Sequence, residues 1–193
     1  AQVMEVMGWH GDGLPENHPF RSIVAQPNVA TRPEMWILGS SDYGAQVAGY
    51  FGLPYCFAHF FSDGGGSEQA IAVYRESFEP KPDMPGRLAA PHPALGVYCL
   101  VADTEAEAKK VADKICGLRV FEDENGKMNV NPKDAGAELL IISQFTLYAD
   151  AKSRRPGFTR AARPETAVPL YELVISECRS RGFKVETGEF GAE

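Results

Sequence analysis

No apolar run in this 193-residue chain approaches the roughly 20 residues that a membrane-spanning helix needs. The opening stretch from Ala1 to Gly13 also lacks the charged, apolar and cleavage regions of a secretory leader. A soluble, cytoplasmic protein with no membrane partner is expected. Cysteine is scarce, and Cys56, Cys99, Cys116 and Cys178 form no Cys-x-x-Cys pair, so neither a zinc knuckle nor a dense disulfide framework is indicated. Reduced, mostly buried thiols are the expectation, with no metal site. No histidine follows His92, so the second half cannot assemble a Ser-His-Asp triad from its own residues. Internal repeats are absent too. What the chain does have is 44% hydrophobic residues, enough to fill a core, in a length that suits one domain or two small ones.

The net charge of −7 is unevenly divided. Residues 1–107 carry 5 Lys and Arg against 13 Asp and Glu, whereas residues 108–193 carry 14 against 13. All four histidines, 10 of the 14 prolines and 12 of the 19 glycines fall in the first part. Such an asymmetry predicts two regions with separate histories, 1–107 and 108–193.

In the first region, Met35 to Leu38 suggests a short buried strand, and Gly39-Ser40-Ser41-Asp42 a turn able to cap a helix that Gly52 would stop. Leu53 to Phe61 is a second strand-like run, followed by the Gly64-Gly65-Gly66 loop and a helix capped by Ser67 that reaches about Glu79. Five prolines between Pro80 and Pro93 make an extended connection, after which Leu95 to Val101 returns to strand.

The second region opens on a capping box, Thr104 with Glu107, ahead of a helix that puts Ala108, Val111, Ala112 and Ile115 on one face and closes at Gly117. Leu118 to Phe121 and Lys127 to Val130 flank Asn125-Gly126, a pair that permits the positive backbone angles of a hairpin turn. Leu139 to Leu147 is the most strand-like run of the chain. Glu165 to Arg181 predicts a helix with Ala167, Leu170, Tyr171, Val174 and Cys178 on one face, and Phe183 to Thr187 a last strand.

Some of these residues could carry chemistry. Ser40 and Ser41 stand where a strand turns into a helix, and the unpaired N–H groups of a helix start attract phosphate; a simple capped turn is the commoner use of such residues. His59, in the apolar Phe57 to Phe61 run, could touch a cofactor, although a satisfied core histidine is the favoured reading. Ser143-Gln144-Phe145-Thr146 sets two hydroxyls and an amide near the end of an apolar strand, and this is either a small-ligand site or edge chemistry. Lys152, Arg154, Arg155, Arg160 and Arg163 form a basic, irregular loop that suits phosphates, with a solvated cationic loop as the alternative.

The stretches Trp36-Ile37-Leu38-Gly39-Ser40-Ser41-Asp42-Tyr43, Gly52-Leu53-Pro54-Tyr55-Cys56-Phe57-Ala58-His59 and Tyr74-Arg75-Glu76-Ser77-Phe78 resemble the bacterial-luciferase-like flavin monooxygenases over about residues 5–107. That family is a TIM barrel using reduced flavin and oxygen. The resemblance implies a C-terminal barrel fragment with FMN as cofactor and Gly39, Ser40 and Ser41 near its phosphate. Phe60-Phe61 stands where that family tends to have His-Phe. A full barrel takes about 250 residues, so a closed barrel is not expected here.

The run from Ala112 to Asn129, Ser143 to Asp150, Arg155-Pro156-Gly157-Phe158 and Lys184 to Ala192 resemble D-aminoacyl-tRNA deacylase over about residues 95–193. Members are cytosolic homodimers that cleave the ester between a D-amino acid and tRNA, with no cofactor. By resemblance, Ser143, Gln144, Phe145 and Thr146 surround the aminoacyl group and act in catalysis. Met128 lies close by, and Arg154 and Arg155 meet acceptor-end phosphates. The family's reaction leans on the 2′-hydroxyl of the terminal adenosine, in keeping with the missing histidine. Its later Gly-Pro motif, whose cis-proline enters the partner's pocket, has no counterpart before Glu193, so impaired activity is expected.

Val101 to Ala108 fits both families, which suggests a fusion of two fragments joined there. The expected fold is mixed α/β: a partial TIM-barrel-like βα segment, then an incomplete deacylase-like, mostly antiparallel sheet with two helices. Open strand edges should favour self-association, as a homodimer or otherwise. The functional expectations are a deacylase-like hydrolase, an FMN-dependent monooxygenase, or a fusion that catalyses nothing.

Overall fold

The structure, a computed structural model, describes residues 2–26, 31–61, 65–99, 103–152 and 154–192. The chain divides into two compact units, Ala1–Val97 and Tyr98–Glu193.

The first unit begins with a short helix, α1 (Gln2–Met7). Three strands follow, β1 (Ile37–Gly39), β2 (Tyr55–Ala58) and β3 (Pro93–Gly96), with α2 (Asp42–Phe51) and α3 (Ser67–Glu76) in the two connections. The strands are parallel in the order β1-β2-β3, with Ile37 opposite Tyr55 and Tyr55 opposite Pro93. Parallel neighbours need a crossover element, and the two helices supply it. Gly52 stops α2 by adopting φ +63°, a left-handed conformation that lets its N–H reach the carbonyls of Ala48 and Gly49.

The core of this unit lies between the helices and one face of the sheet. Ala45 and Ala48 of α2 and Ala70 of α3 are small enough to let the helices approach the buried rings of Tyr55, Phe57 and Tyr74. Ile37, Val73, Phe78 and Leu95 close the edges of that cluster. The Tyr74 hydroxyl donates to the Leu53 carbonyl at 2.9 Å and accepts from the His92 N–H at 3.0 Å, tying the approach to β2 to the approach to β3. On the other face, Leu38, Cys56 and Ala94 lie in register, and Leu38 is exposed.

Several local expectations change. The Leu53 to Phe61 run is strand only over Tyr55–Ala58, and His59–Phe61 turns into a 3-10 helix. His59 therefore stands beyond the strand, half-buried, with its ring 6.3 Å from that of Phe57. Ser67 does not cap α3 but is its buried first residue; the cap position belongs to Gly66 at φ +85°, an angle that favours glycine. The strand expected over Leu95 to Val101 is instead Pro93–Gly96, because its register follows β2; Leu100 and Val101 lie outside the described residues, as does Gly64.

In the second unit, α4 (Glu105–Gly117) starts as the capping box predicts: the Thr104 hydroxyl accepts from the Glu107 N–H at 3.3 Å and donates to the Glu107 carboxylate at 2.8 Å. β4 (Phe121–Glu122) and β5 (Met128–Val130) form the antiparallel hairpin around Gly126, whose φ is +71°. Asp123 holds the turn by accepting from the N–H groups of Asn125 and Lys127. β6 (Leu139–Ile141) runs parallel to β7 (Val185–Thr187), and the connection passes through α5 (Pro164–Ser180).

Helices α4 and α5 pack together through Ala108, Ala112, Val174, Ile175 and Cys178, which are buried with Phe183 and Val185. Leu139 and Ile141 of β6 face this core, while Leu140 between them is exposed. Arg181 reaches back to Glu177 at 2.7 Å and across to Asp113 at 3.1 Å, fastening the end of α5 to α4.

Two corrections concern this unit. Among the described residues, the expected mostly antiparallel sheet is instead two separate two-stranded ladders, one antiparallel and one parallel. The Leu139 to Leu147 run is strand only to Ile141, because pairing with β7 ends at Thr187; Phe145–Tyr148 then forms a 3-10 helix.

Candidate functional site

Ser143, Gln144, Phe145 and Thr146 follow the end of β6 and lead into the 3-10 turn rather than lying in a strand. Ser143 is half-buried and the other three are exposed, so the polar groups of this segment open to solvent. Gln144 has an extended backbone and starts the turn, where its carbonyl accepts the Leu147 N–H at 3.3 Å. Its side-chain amide donates to the Thr146 hydroxyl, which orients both groups on one side of the turn. The Tyr171 hydroxyl of α5 donates to the Ile141 carbonyl at 2.8 Å and fixes the strand end from which the segment departs.

A basic loop lies against this turn. Asp150 and Gly157 exchange two backbone hydrogen bonds, of 2.8 and 2.9 Å, in an antiparallel bridge that closes the loop carrying Arg154 and Arg155. Both arginines are exposed. Beyond the bridge, Phe158 meets Phe145 edge to face, and the Arg160 guanidinium sits 5.3 Å from the centre of the Tyr148 ring. The loop and the tetrad are therefore joined through aromatic contacts. Met128, the first residue of β5, is half-buried.

Phe158 and Tyr148 carry no role that their sequence context assigns. Phe158 does stand in the Arg155-Pro156-Gly157-Phe158 run, so a lone aromatic after a turn-forming pair was the available signal. Nothing local in the sequence shows that its ring returns to Phe145.

In the first unit, Gly39 ends β1 and Ser41 occupies the start of α2. Ser41 has the extended backbone of a cap, but its side chain makes no capping hydrogen bond, which corrects the expected capped turn; the exposed hydroxyl competes with water there. The Gly39 and Ser41 carbonyls accept long hydrogen bonds, 3.4 and 3.3 Å, from the Tyr55 hydroxyl. A Cβ on Gly39 would stand 3.5 Å from the Gly44 Cα and 3.6 Å from the Tyr55 ring, ordinary contact distances, so strand, helix and ring meet here with room for a methyl group. Burial, reinforced by Asp42 and Cys56, pushes the Tyr55 phenol up to about 12 and keeps it a neutral donor. Ser40 is exposed beside it.

Among the described residues, no group of three or more His, Cys, Asp and Glu side chains is placed to hold a metal, and no helix is long and apolar enough to cross a membrane.

The second unit is thus a small α/β domain that presents a hydroxyl-and-amide segment at a strand end beside a cationic loop. A family profile described as D-Tyr-tRNA(Tyr) deacylase matches residues 94–193, and the chain belongs to that family. The match begins inside β3 and includes the whole second unit. The D-aminoacyl-tRNA deacylase of Brevibacillus brevis is 59% identical over 91 residues, covering 47% of this chain and 63% of the relative. That of a Geobacillus species is 53% identical over 92 residues, covering 47% and 60%. A solved structure described as c-Myc DNA Unwinding Element Binding Protein has 35% identity over 48% of this chain and 64% of its own, with a TM-score of 0.44. The chain spans about three fifths of the length of the curated relatives it matches, 60% and 63% for the two bacterial enzymes.

Proposed function

We propose that the second unit is a hydrolase of the ester bond in D-aminoacyl-tRNA, a proofreading activity, and that its site is the segment from Ser143 to Thr146. The observation that carries this reading is the joining of that segment to the basic loop by Phe145 and Phe158, with family membership behind it. An aminoacyl ester at the tip of a nucleic acid needs both a small polar cradle and cations for the phosphates behind it.

In this reading the Ser143 and Thr146 hydroxyls and neighbouring backbone N–H groups hold the ester carbonyl and stabilise the negative charge that develops on its oxygen. The Gln144 amide, bonded to the Thr146 hydroxyl, orients that hydroxyl. With no histidine beyond His92, water attacks the ester carbonyl and the bond to the ribose oxygen breaks, the proton of the water passing to that departing oxygen through solvent or the terminal adenosine's 2′-hydroxyl rather than through a protein imidazole. Phe145 and Met128 border the side chain of the amino acid, and Arg154 and Arg155 meet acceptor-end phosphates. No cofactor enters the reaction.

The test is release of labelled D-tyrosine from D-tyrosyl-tRNA by the purified chain, against Thr146→Ala and Ser143→Ala. Faster release than the buffer control, lost in both variants, supports the assignment; release at the background rate together with no tRNA binding at low salt overturns it.

A second reading concerns the first unit, whose three parallel strands with intervening helices place Gly39, Ser40 and Ser41 at the N-terminus of α2. A fragment of a luciferase-like monooxygenase would hold an FMN phosphate there, and the chain would be a fusion of two fragments, 1–107 and 108–193. A thermal shift on adding FMN is expected; an unchanged melting curve at millimolar FMN removes this reading.

A further inference from the structure

Three of the four cysteines belong to the second unit, and its helix packing gathers them. Cys116 lies in the last turn of α4 and Cys178 in the last turn of α5, the hydrogen bond of 3.1 Å from Arg181 to Asp113 holds these two helix ends together, and Cys116 packs against the core cluster that contains Cys178. Cys178 is fully buried in the core, Cys116 packs against that core half-buried, and Cys99 is exposed. Exposure therefore falls in a series from the surface to the α4–α5 interface. The proposed hydrolysis uses none of these sulfurs.

We propose that Cys116 and Cys178 form a redox-active dithiol, oxidised by hydrogen peroxide to an intramolecular disulfide that links the last turns of α4 and α5. The Cys116 thiolate attacks the peroxide, so that an S–O bond forms as the O–O bond breaks and the departing hydroxide is protonated to water. The Cys178 sulfur then displaces the sulfenic hydroxyl: the S–S bond forms, the S–O bond breaks, and the Cys178 thiol proton leaves with that hydroxyl as a second water. The dithiol loses two electrons and the peroxide gains them.

The order of events follows from access. Hydrogen peroxide is small enough to reach a half-buried sulfur, whereas the core around Cys178 excludes larger oxidants. Burial first, and then the neighbouring Cys116, push the Cys178 thiol up to about 12, so it stays protonated until the sulfenic acid is beside it. Because the two residues are far apart in sequence, the bond closes a long loop and restricts the unfolded chain, so the oxidised form should melt at a higher temperature.

Non-reducing peptide mapping tests this directly. After treatment of the whole chain with hydrogen peroxide, free thiols are blocked with iodoacetamide and the protein is cut with trypsin. Cys99, Cys116 and Cys178 fall on separate peptides, 88–109, 115–119 and 161–179, since Arg163 precedes proline and resists cleavage. The expected main product is 115–119 linked to 161–179, reversed by dithiothreitol, retained in Cys99→Ser, and no longer favoured over the other pairings when the peroxide is added in denaturant. Recovery of both peptides fully alkylated overturns the proposal, as does Cys99 linked within or between chains as the main product. The assay reads the unaltered sequence, so it does not depend on a core cysteine variant folding.

Discussion

The ring of Phe158 stands edge-on to that of Phe145, with centroids 5.3 Å apart and planes at 78°. This contact brings the exposed tetrad and the basic loop together, although the loop between them passes through the Asp150 to Gly157 bridge. Both rings are well exposed, 62% for Phe145 and 37% for Phe158, so their pairing contributes more to the shape of the site than to the stability of the fold. Phe158→Ala should therefore lower kcat/KM for D-aminoacyl-tRNA by about 2- to 13-fold, equivalent to an aromatic pair worth roughly 0.5–1.5 kcal/mol, while the melting temperature stays nearly unchanged. Steady-state deacylation alongside a thermal melt checks it. A large fall in melting temperature would show the ring to be structural.

Arg154 and Arg155 are exposed on a loop that its own backbone closes, so they can be removed without disturbing the core. Arg154→Ala combined with Arg155→Ala should weaken tRNA binding and flatten its dependence on salt. The slope of log affinity against log salt should fall by about 0.7–0.9 for each phosphate that is no longer neutralised. Binding isotherms across a salt series provide the measurement. Unchanged slopes would assign the loop to solvent.

Tyr74 is buried and its hydroxyl serves both the Leu53 carbonyl and the His92 N–H. Tyr74→Phe keeps the ring in the core and leaves both backbone groups unsatisfied, which should cost about 1–3 kcal/mol. Urea unfolding followed by a probe in the first unit would report this as a lower midpoint at unchanged slope.

Asp123 accepts backbone N–H bonds from Lys127 first and Asn125 next, then a side-chain bond from Asn129, and these hold its carboxyl below the usual range. A depressed folded-state value favours the ionised form, so its support of the hairpin is complete above about 3.9, the ordinary Asp value, and fades as the pH falls through the lower folded value. Hydrogen exchange of the β4–β5 amides should therefore quicken below that range. In Asp123→Ala the exchange should be fast at all pH values and the acid dependence gone.

Open sheet edges remain in both units, since β1 and β3 flank the three-stranded sheet and the other two sheets have two strands each. The expectation of self-association can be read by sedimentation velocity over a concentration series, and a clean monomer at high concentration would remove it.

Local chemistry that acts within a few residues was legible in the sequence. The Thr104–Glu107 capping box, the Gly52 stop and the Asn125-Gly126 hairpin turn all formed where their residue types required, because each is decided by nearest-neighbour hydrogen bonds and by the angles glycine allows. The apolar faces of α4 and α5 were equally readable from their period, with Ala108, Ala112, Val174 and Cys178 buried as spaced. Motifs from the end of α4, the tetrad, the basic loop and the last strand also carried the family, since they recur in order over the length of a domain.

Strand length and strand pairing were decided only by the tertiary structure. Leu139 to Leu147 is apolar enough to continue as a strand, but β7 offers partners only as far as Thr187, so the backbone beyond Ile141 leaves the sheet and turns. Leu53 to Phe61 ends as a strand at Ala58 for the same reason, where β3 ends at Gly96. Propensity is a property of the segment, whereas a ladder needs a second segment at the right distance, and that distance is set by how the helices pack. Tertiary structure likewise set Phe158 against Phe145 and Cys116 against the core that holds Cys178, arrangements of residues with no local relationship in the chain.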